Sequence, residues 1–585
     1  MYIYKSKFTN DTFLKNAHTP LAKRFISEIN ESCDKFRKTP IKALKLSKFR
    51  LFDEIGERAK YQEDYYERRR RLTIFFLRVW LFHEKDDISE LEDILWSVCD
   101  EYTWALPAHL GAILRDENIV PNRVDLFAAE TAHTIAEALS LCSEYLHPAV
   151  VRRCVSEVFK RVILPYESGD VEKYGLWWDK SGTNNWSAVC GGAVGMTAIY
   201  LIEDDERLNK LLERTKFACN TFIDTCSDDG ICKEGLSYWT YAVQYYVGLD
   251  ELMKERTGKG IVENEEKIKR LARFPSVVCL AENCAVKFSD FSDTHLFYGI
   301  LCKLHERYGV PIPSSSFYRH ITDRCARTCG AVRTIAWYNP DLANDNDRTD
   351  DMFFELGEWA VLHKNGMCAV IKGGHNKEPH NHNDVGSYMF IKGNDIIADE
   401  LGAAKYVNIY FDEALRYGFL NAGSQGHSLP IVNGCFQKAG IEYAADSFER
   451  IENGVRVSFA NAYGKETNLK KLTRELSLKD DGVWIKDKFE FTKSGNSVKE
   501  RVVTEADAKI LSESKVLISQ GARDLATLEF SEKGKISISH DSFLMPNPTG
   551  RSDVYGSEDK EQSVTLIDLE ATTETDVIEI TYTIN

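Results

Sequence analysis

Apolar positions in the first part of the chain recur at three- and four-residue steps. In "DDISELEDILWSVCDEY", Ile88, Leu91, Leu95 and Val98 fall on one stripe behind acidic capping residues, which predicts an amphipathic helix. "VDLFAAETAHTIAEALSLCSEYL" repeats the pattern, with Asp125 placed to cap its start and Pro148 marking its exit. "AVVRRCVSEVFKRVIL", "NWSAVCGGAVGMTAIYLI", "DERLNKLLERTKFACNTFIDTC" and "YWTYAVQYYVGLDELMKER" predict further helices. Short connections between them predict stacked antiparallel helical hairpins, arranged as a curved array or toroid.

The period changes after "YNPDLANDNDRTDD", an acidic, Asn- and Asp-rich stretch at 338–351 that predicts an interdomain linker. Beyond it the apolar positions alternate. "EWAVLHKNGMCAVIKGG" is two short runs around Asn365-Gly366, and "YMFIKGNDIIADE" is two more around Gly393-Asn394, both hairpin signals. Further strand pairs are expected in "LTRELSLKDDGVWIKDKFEF" and at "VIEITYTI". The chain therefore divides into a helical part over 1–337, a linker over 338–351 and an antiparallel β part over 352–585 that should form a sandwich.

Composition narrows the class. A chain of 585 residues with 43% hydrophobic content holds enough apolar material for two or three domains. No run approaches the ~20 apolar residues of a membrane helix, and "MYIYKSKFTNDTFLKNAHTP" lacks the apolar centre of an export signal. A soluble, cytoplasmic protein is expected. The 15 cysteines are scattered singly, as reduced and mostly buried thiols would be. A formal net charge of −16 disfavours nucleic acid and anionic membranes as partners, although an acidic ligand in a locally basic cleft remains compatible.

The candidate chemistry centres on "HNHND" at 380–384. On a strand, His380, His382 and Asp384 would share one face. Asp399 ends the next predicted strand, and His427 follows in "NAGSQGHSLPIVNG". Two imidazoles and a carboxylate from neighbouring strands suit zinc or a similar divalent ion, and a hydrogen-bonded polar cluster accounts for the same residues. Asn184 and Asn185 precede a predicted helix, where an Asn is also an ordinary cap. Tyr238, Tyr241, Tyr245 and Tyr246 have the spacing of core aromatics. Trp104 and His109 in "YTWALPAHL" are candidates to stack on and hydrogen-bond a sugar, and they equally suit helix packing.

Taken in order, "NNW", "DG…EGLSYW", "HNHND…ADELG" and "GHSLPIVNG" resemble the heparinase II/III-like polysaccharide lyases. The resemblance runs from about Trp104 to the strands after His427. It implies an α/α toroid followed by an antiparallel β-sandwich, and cleavage of uronic-acid-containing glycans by β-elimination. It implies that Asn185, with Asn184 the near alternative, binds the uronate carboxylate; some relatives have His at that position. Tyr238 is implied as the proton carrier, acting as phenolate once nearby cations lower its pKa, with Tyr241 a weaker candidate. His380 is implied in the active site, and His382, Asp399 and His427 as ligands of a structural divalent metal, zinc first. In "KYVNIYFDEALRYG", which offers Tyr406, Tyr410 and Arg416, the implied substrate contact is placed on Tyr410. Glycosaminoglycan fragments are the first expected substrate, and a cytoplasmic enzyme should act on short chains or from chain ends.

Two other classes use other features. A glycoside hydrolase needs two carboxylates flanking the bond, for which Asp228, Asp229 and Glu234 are available. A non-catalytic, cupin-like metal or sugar-binding protein would use "GGHNKEPHNH", but Gly386 and Ser387 stand where that motif needs a Glu.

Overall fold

The helical periodicity is realised in a computed structural model that describes residues 2–585 except 112, 117, 181, 183, 293, 294, 319, 324, 343–350, 533 and 546–559. The first half is helix-rich and the second half sheet-rich. Leu91, Leu95 and Val98 are buried along the helix Lys85–Cys99, as their stripe predicts. Asp125 caps Leu126–Cys142, its carboxylate accepting from the Ala128 N–H at 2.7 Å.

The helix Ala59–Phe82 carries four consecutive arginines, Arg68 to Arg71, and all four are buried. Arg68 and Arg69 converge on Glu101 at 2.7 and 2.6 Å. Burial alone would raise the Glu101 pKa, but the two guanidiniums outweigh it and hold the carboxylate below its usual range.

The helix Asn185–Leu201 is apolar on nearly every side and buried on nearly every side, as a central helix must be. Glycine in a helix costs about 1 kcal/mol relative to alanine. Here it permits close packing, because a Cβ on Gly192 would lie 2.7 Å from the Cβ and carbonyl oxygen of Tyr245. The helices Asn185–Leu201 and Leu236–Thr257 thus meet backbone to side-chain root, which fixes how their N-terminal ends face one another.

The strands after the predicted linker form a five-stranded antiparallel sheet in sequential order: Met352–Phe354, Trp359–Lys364, Met367–Lys372, Tyr388–Lys392 and Asp395–Ala398. Both predicted hairpins are present, and Asn365 and Gly366 take the positive φ values, 51° and 73°, that a tight turn of this type requires. Most of the linker, 343–350, lies outside the described residues.

This sheet is buried on both faces. Val361, Cys368, Val370, Met389 and Ile391 join the core of the helix-rich half. Ala360, Leu362, Ala369, Ile371 and Phe390, alternating with them, join a second core with Val455, Val457, Leu472 and Leu476 of the next sheet. Two-sided burial explains why "WAVL" and "MCAVI" read as unbroken apolar runs. Among the described residues the remaining strands form an eight-stranded sheet, in which the C-terminal Val577–Ile584 lies between Val483–Phe491 and Arg523–Phe530, a four-stranded sheet, and two two-stranded pairs, Cys279–Ala281 with Cys284–Ala285 and His375–Asn376 with Gly440–Ala444. The segment 373–387, which carries "HNHND" after the short strand His375–Asn376, leaves the five-stranded sheet beside the helix-rich half.

Candidate active site

Two helix N-termini meet at a cavity of about 610 Å³ between the two halves. Asn184 caps Asn185–Leu201 by accepting from the Trp186 N–H at 3.0 Å. Glu234 secures the same end: its Oε1 accepts from the Asn185 backbone N–H at 2.9 Å and its Oε2 from Asn185 Nδ2 at 2.8 Å. Burial raises the Glu234 pKa, only partly opposed by His380 and these hydrogen bonds. Tyr238 stands in the first turn of Leu236–Thr257, whose cap Gly235 has φ +88°. The helix dipoles favour an anion at these ends.

"HNHND" is a loop and not a strand. His380 has φ +57°, a left-handed conformation uncommon for a residue with a Cβ, and Asn383 N–H is pinned to the Ala422 carbonyl at 2.8 Å. The two histidines therefore do not simply line one face. They straddle Asp290, whose Oδ2 accepts from His380 Nδ1 and Oδ1 from His382 Nε2, each at 3.1 Å. Tyr410 donates to Asp290 Oδ1 at 2.6 Å and Arg416 to Oδ2 at 2.8 Å. Burial would raise the Asp290 pKa, but Arg416 and the two imidazoles hold it well below the usual carboxylate range. An ionised carboxylate only accepts, so His380 gives Asp290 an Nδ1–H, with Nε2 on the other side of the ring. That nitrogen lies 3.9 Å from Glu234 Oε2.

The Tyr238 ring stacks on His380, with centroids 4.0 Å apart and planes at 15°. Its hydroxyl meets the Tyr406 hydroxyl at 2.6 Å. Burial and then Asp290 raise the pKa of Tyr238 well above the ordinary phenol value. The expectation of a phenolate prepared by nearby cations is thus reversed: Tyr238 rests as a phenol.

Asn184, Asn185, Tyr238, His380, His109 and Tyr241 all line the cavity. His109 is held by Asp125 at 2.7 Å and lies edge-on to Trp186 at 4.8 Å. Tyr241 lies under the Arg327 guanidinium at 3.5 Å. Three expected substrate contacts are placed elsewhere. Trp104 is 1% exposed, donates to the Val98 carbonyl at 2.9 Å and has no face left for a sugar. Tyr410 and Arg416 are buried behind Asp290 and orient it, while Tyr406 takes the cavity-lining place foreseen for Tyr410. Asp290 was not foreseen at all, since nothing in "KFSDFSD" ties it to a histidine ninety residues away.

No protein-family model and no curated protein matches the chain. Solved structures do. Heparinase III superposes with a TM-score of 0.60 at 12% identity, covering 90% of this chain and 77% of that one. A heparan sulfate lyase variant from Pedobacter heparinus gives 0.59 at 12% identity, covering 95% and 82%. A chondroitin AC lyase from Streptomyces coelicolor A3 gives 0.53 at 10% identity, covering 97% and 79%. The chain has the heparinase III-like lyase fold.

A second polar cluster lies behind the cavity. His382 Nδ1, Asp384 Oδ2 and His427 Nε2 are buried without a hydrogen-bond partner, and the three residues offer donor atoms within 4.8 Å of one another. Each imidazole is oriented by a carboxylate on its other nitrogen: Asp290 on His382, and Glu400 on His427 Nδ1 at 2.6 Å. Carboxylate-oriented imidazoles with free lone pairs suit a divalent ion. Lys372 donates to the other Asp384 oxygen, Oδ1, at 2.6 Å. Asp399, expected as the third ligand, instead pairs with Lys287 at 2.7 Å. Burial raises its pKa to about 7, only partly offset by Lys287. Asp399 follows the strand Asp395–Ala398, and its N–H donates to the Val503 carbonyl at 2.9 Å.

Proposed function

We propose that this protein is a lyase that cleaves uronic-acid-containing glycans by β-elimination, with glycosaminoglycan fragments as the first substrate class. Its helices would close as an α/α toroid and its sheets stack as a sandwich, divided near 338–351. The observation that carries the reading is the convergence of Asn185, Tyr238 and His380 on one cavity between two helix N-termini. The neighbours named above are heparan sulfate and chondroitin lyases, which supports the substrate class.

The reaction needs three things from these residues. The uronate carboxylate must be held so that negative charge can develop on it, and Asn185 Nδ2, which gives one hydrogen to Glu234, has its second to give, preorganised by that hydrogen bond. The C5 proton must be taken, and His380 Nε2 is the available base, fixed in that tautomer by Asp290. The leaving O4 must be protonated, and the Tyr238 phenol is the available acid. The C5–H and C4–O4 bonds break, the C4–C5 double bond forms, and the two protons are accounted for by His380 and Tyr238. No water is consumed.

A divalent ion, zinc first, would be held by His382, Asp384 and His427, and would tie the catalytic loop to the segment bearing His427. It belongs to the structure of the loop and not to the chemistry. The fifteen cysteines stand as free thiols, which suits the cytoplasmic location we propose with this reading.

A hydrolase is the poorer reading. Asp228 pairs with Lys267 at 2.9 Å, and Asp229 accepts the Leu356 and Gly357 N–H groups, so neither faces the cavity opposite Glu234. The test is a panel of uronate oligosaccharides followed by ultraviolet absorbance of the conjugated double bond and by product mass. Saturated products, with water added across the cut, would overturn the elimination reading.

A further inference from the structure

The cavity has a roof as well as walls. On one side runs the turn between the helices Leu51–Ile55 and Ala59–Phe82; on the other, the segment after Asp399 that carries Tyr406 and Asn408. They touch at Gly56 and Asn408. Gly56 ends its helix at φ +70°, and a Cβ there would lie 2.9 Å from Asn408 Cβ, so the missing side chain is what allows the two halves to meet. Phe52, Arg58, Asn408 and Phe411, flanking this contact, all line the cavity.

Both sides of the bridge are braced. Arg115 clamps the first through Asp53, with a bidentate pair at 2.7 Å. On the second, Ala403 N–H donates to the Phe291 carbonyl at 2.8 Å and Lys405 N–H to the Leu544 carbonyl at 2.7 Å, while Tyr406 packs edge-on against Phe411 at 4.8 Å. Arg327, which also lines the cavity, lies over Tyr241 at 3.5 Å and is paired with Asp323 and with Glu130 at 3.2 Å.

We propose that this bridge makes the cleft blind on one side, so that the enzyme acts from a chain end and releases a short unsaturated product of fixed length. The inference rests on the elimination reading and specifies its substrate. Asn408 follows Tyr406, whose hydroxyl touches Tyr238, by two residues, a backbone span of at most about 7 Å. Adding the length of the Tyr406 side chain, the closure lies within a few sugar units of the proton-transferring phenol. A cavity of about 610 Å³ encloses a ligand of disaccharide size and no long polymer. A chain cut in its middle must run out past both sides of the reacting bond, and the Gly56–Asn408 contact stands across one of those paths.

Two measurements test this. In the first, wild-type protein digests a long uronate polymer of the class it turns over, and double-bond absorbance is compared with polymer mass at low conversion. Expected is one short product accumulating while the remaining polymer keeps its mass; an early collapse of polymer mass overturns the proposal. In the second, calorimetric binding to size-fractionated uronate oligosaccharides is read without reference to turnover. Affinity should level off at the length the cavity holds, and affinity that keeps rising with length overturns the blind cleft even if no elimination is seen. Absence of the double bond with every oligosaccharide, with the length limit intact, would instead sink the elimination reading alone. Asn408→Gly, which thins the bridge without touching the catalytic residues, should broaden the product lengths; an unchanged product pattern together with mass collapse would place the closure nowhere.

Discussion

Tyr238 lies flat on His380, ring centroids 4.0 Å apart, so the phenol and the imidazole of the proposed reaction sit side by side on different halves of the molecule. One group can take a proton while the other gives one, and neither needs to cycle within a single event.

Tyr238→Phe keeps the stack and deletes the acid. Turnover should fall at least ~100-fold with KM near the wild-type value, as expected for loss of a general acid. Steady-state kinetics on an oligosaccharide read this directly. Near-normal kcat would move the role to Tyr406.

Asp290→Asn removes the negative charge shared by His380, His382, Tyr410 and Arg416 and turns one of its two acceptor oxygens into a donor. Arg416 would lose its buried counter-charge, which costs about 3–5 kcal/mol when one partner of a buried pair is removed. Urea denaturation should show that loss, and activity should fall with it because the His380 tautomer is no longer fixed. A variant with the wild-type midpoint would show that Asp290 is not the anchor.

The metal donors separate two carboxylates. Elemental analysis of purified protein should find one divalent ion per chain, lost from Asp384→Ala and His427→Ala along with a lowered melting temperature. Asp399→Asn should keep its ion, because that carboxylate serves Lys287. Metal retained by Asp384→Ala and lost from Asp399→Asn would invert the assignment.

Glu130 predicts a pH effect on stability. Burial raises its pKa from 4.5 to about 7, with Arg327 only partly opposing. The folded state therefore binds this proton more tightly than the unfolded chain, and the carboxyl becomes destabilising as pH rises from 4.5 through about 7. Glu130→Gln removes that penalty. Denaturation midpoints should match wild type near pH 4 and exceed it at pH 8 by up to about 3 kcal/mol. Equal stability gains at both pH values would contradict the shift.

Much of the framework was legible because its period was clean. The stripe of Leu91, Leu95 and Val98 and the turn at Asn365-Gly366 each carry their own local signal. The helix Ala59–Phe82 gives a weak stripe because its buried face includes arginines satisfied by distant acids such as Glu101. Within the site, Asn185, Tyr238 and His380 were legible as motif residues, but their anchor Asp290 was not, since its partners lie ninety or more residues away. His380, His382 and Asp384 would share a face only within a strand; they lie in the loop before one, where His380 takes a left-handed φ. Trp104 and Tyr410 show why aromatic density misleads: core packing and sugar stacking leave the same letters in the sequence.

The five-stranded sheet has a thermodynamic consequence. Its alternate residues belong to two different cores, so neither core is complete without it. A fragment ending near residue 337 would expose the helix-rich face that Val361, Val370 and Met389 cover, and a fragment beginning near 352 would expose the sheet itself. The boundary so plain in composition is therefore no boundary in unfolding: calorimetry should show the two halves melting as one cooperative unit, and neither half expressed alone should stay monomeric.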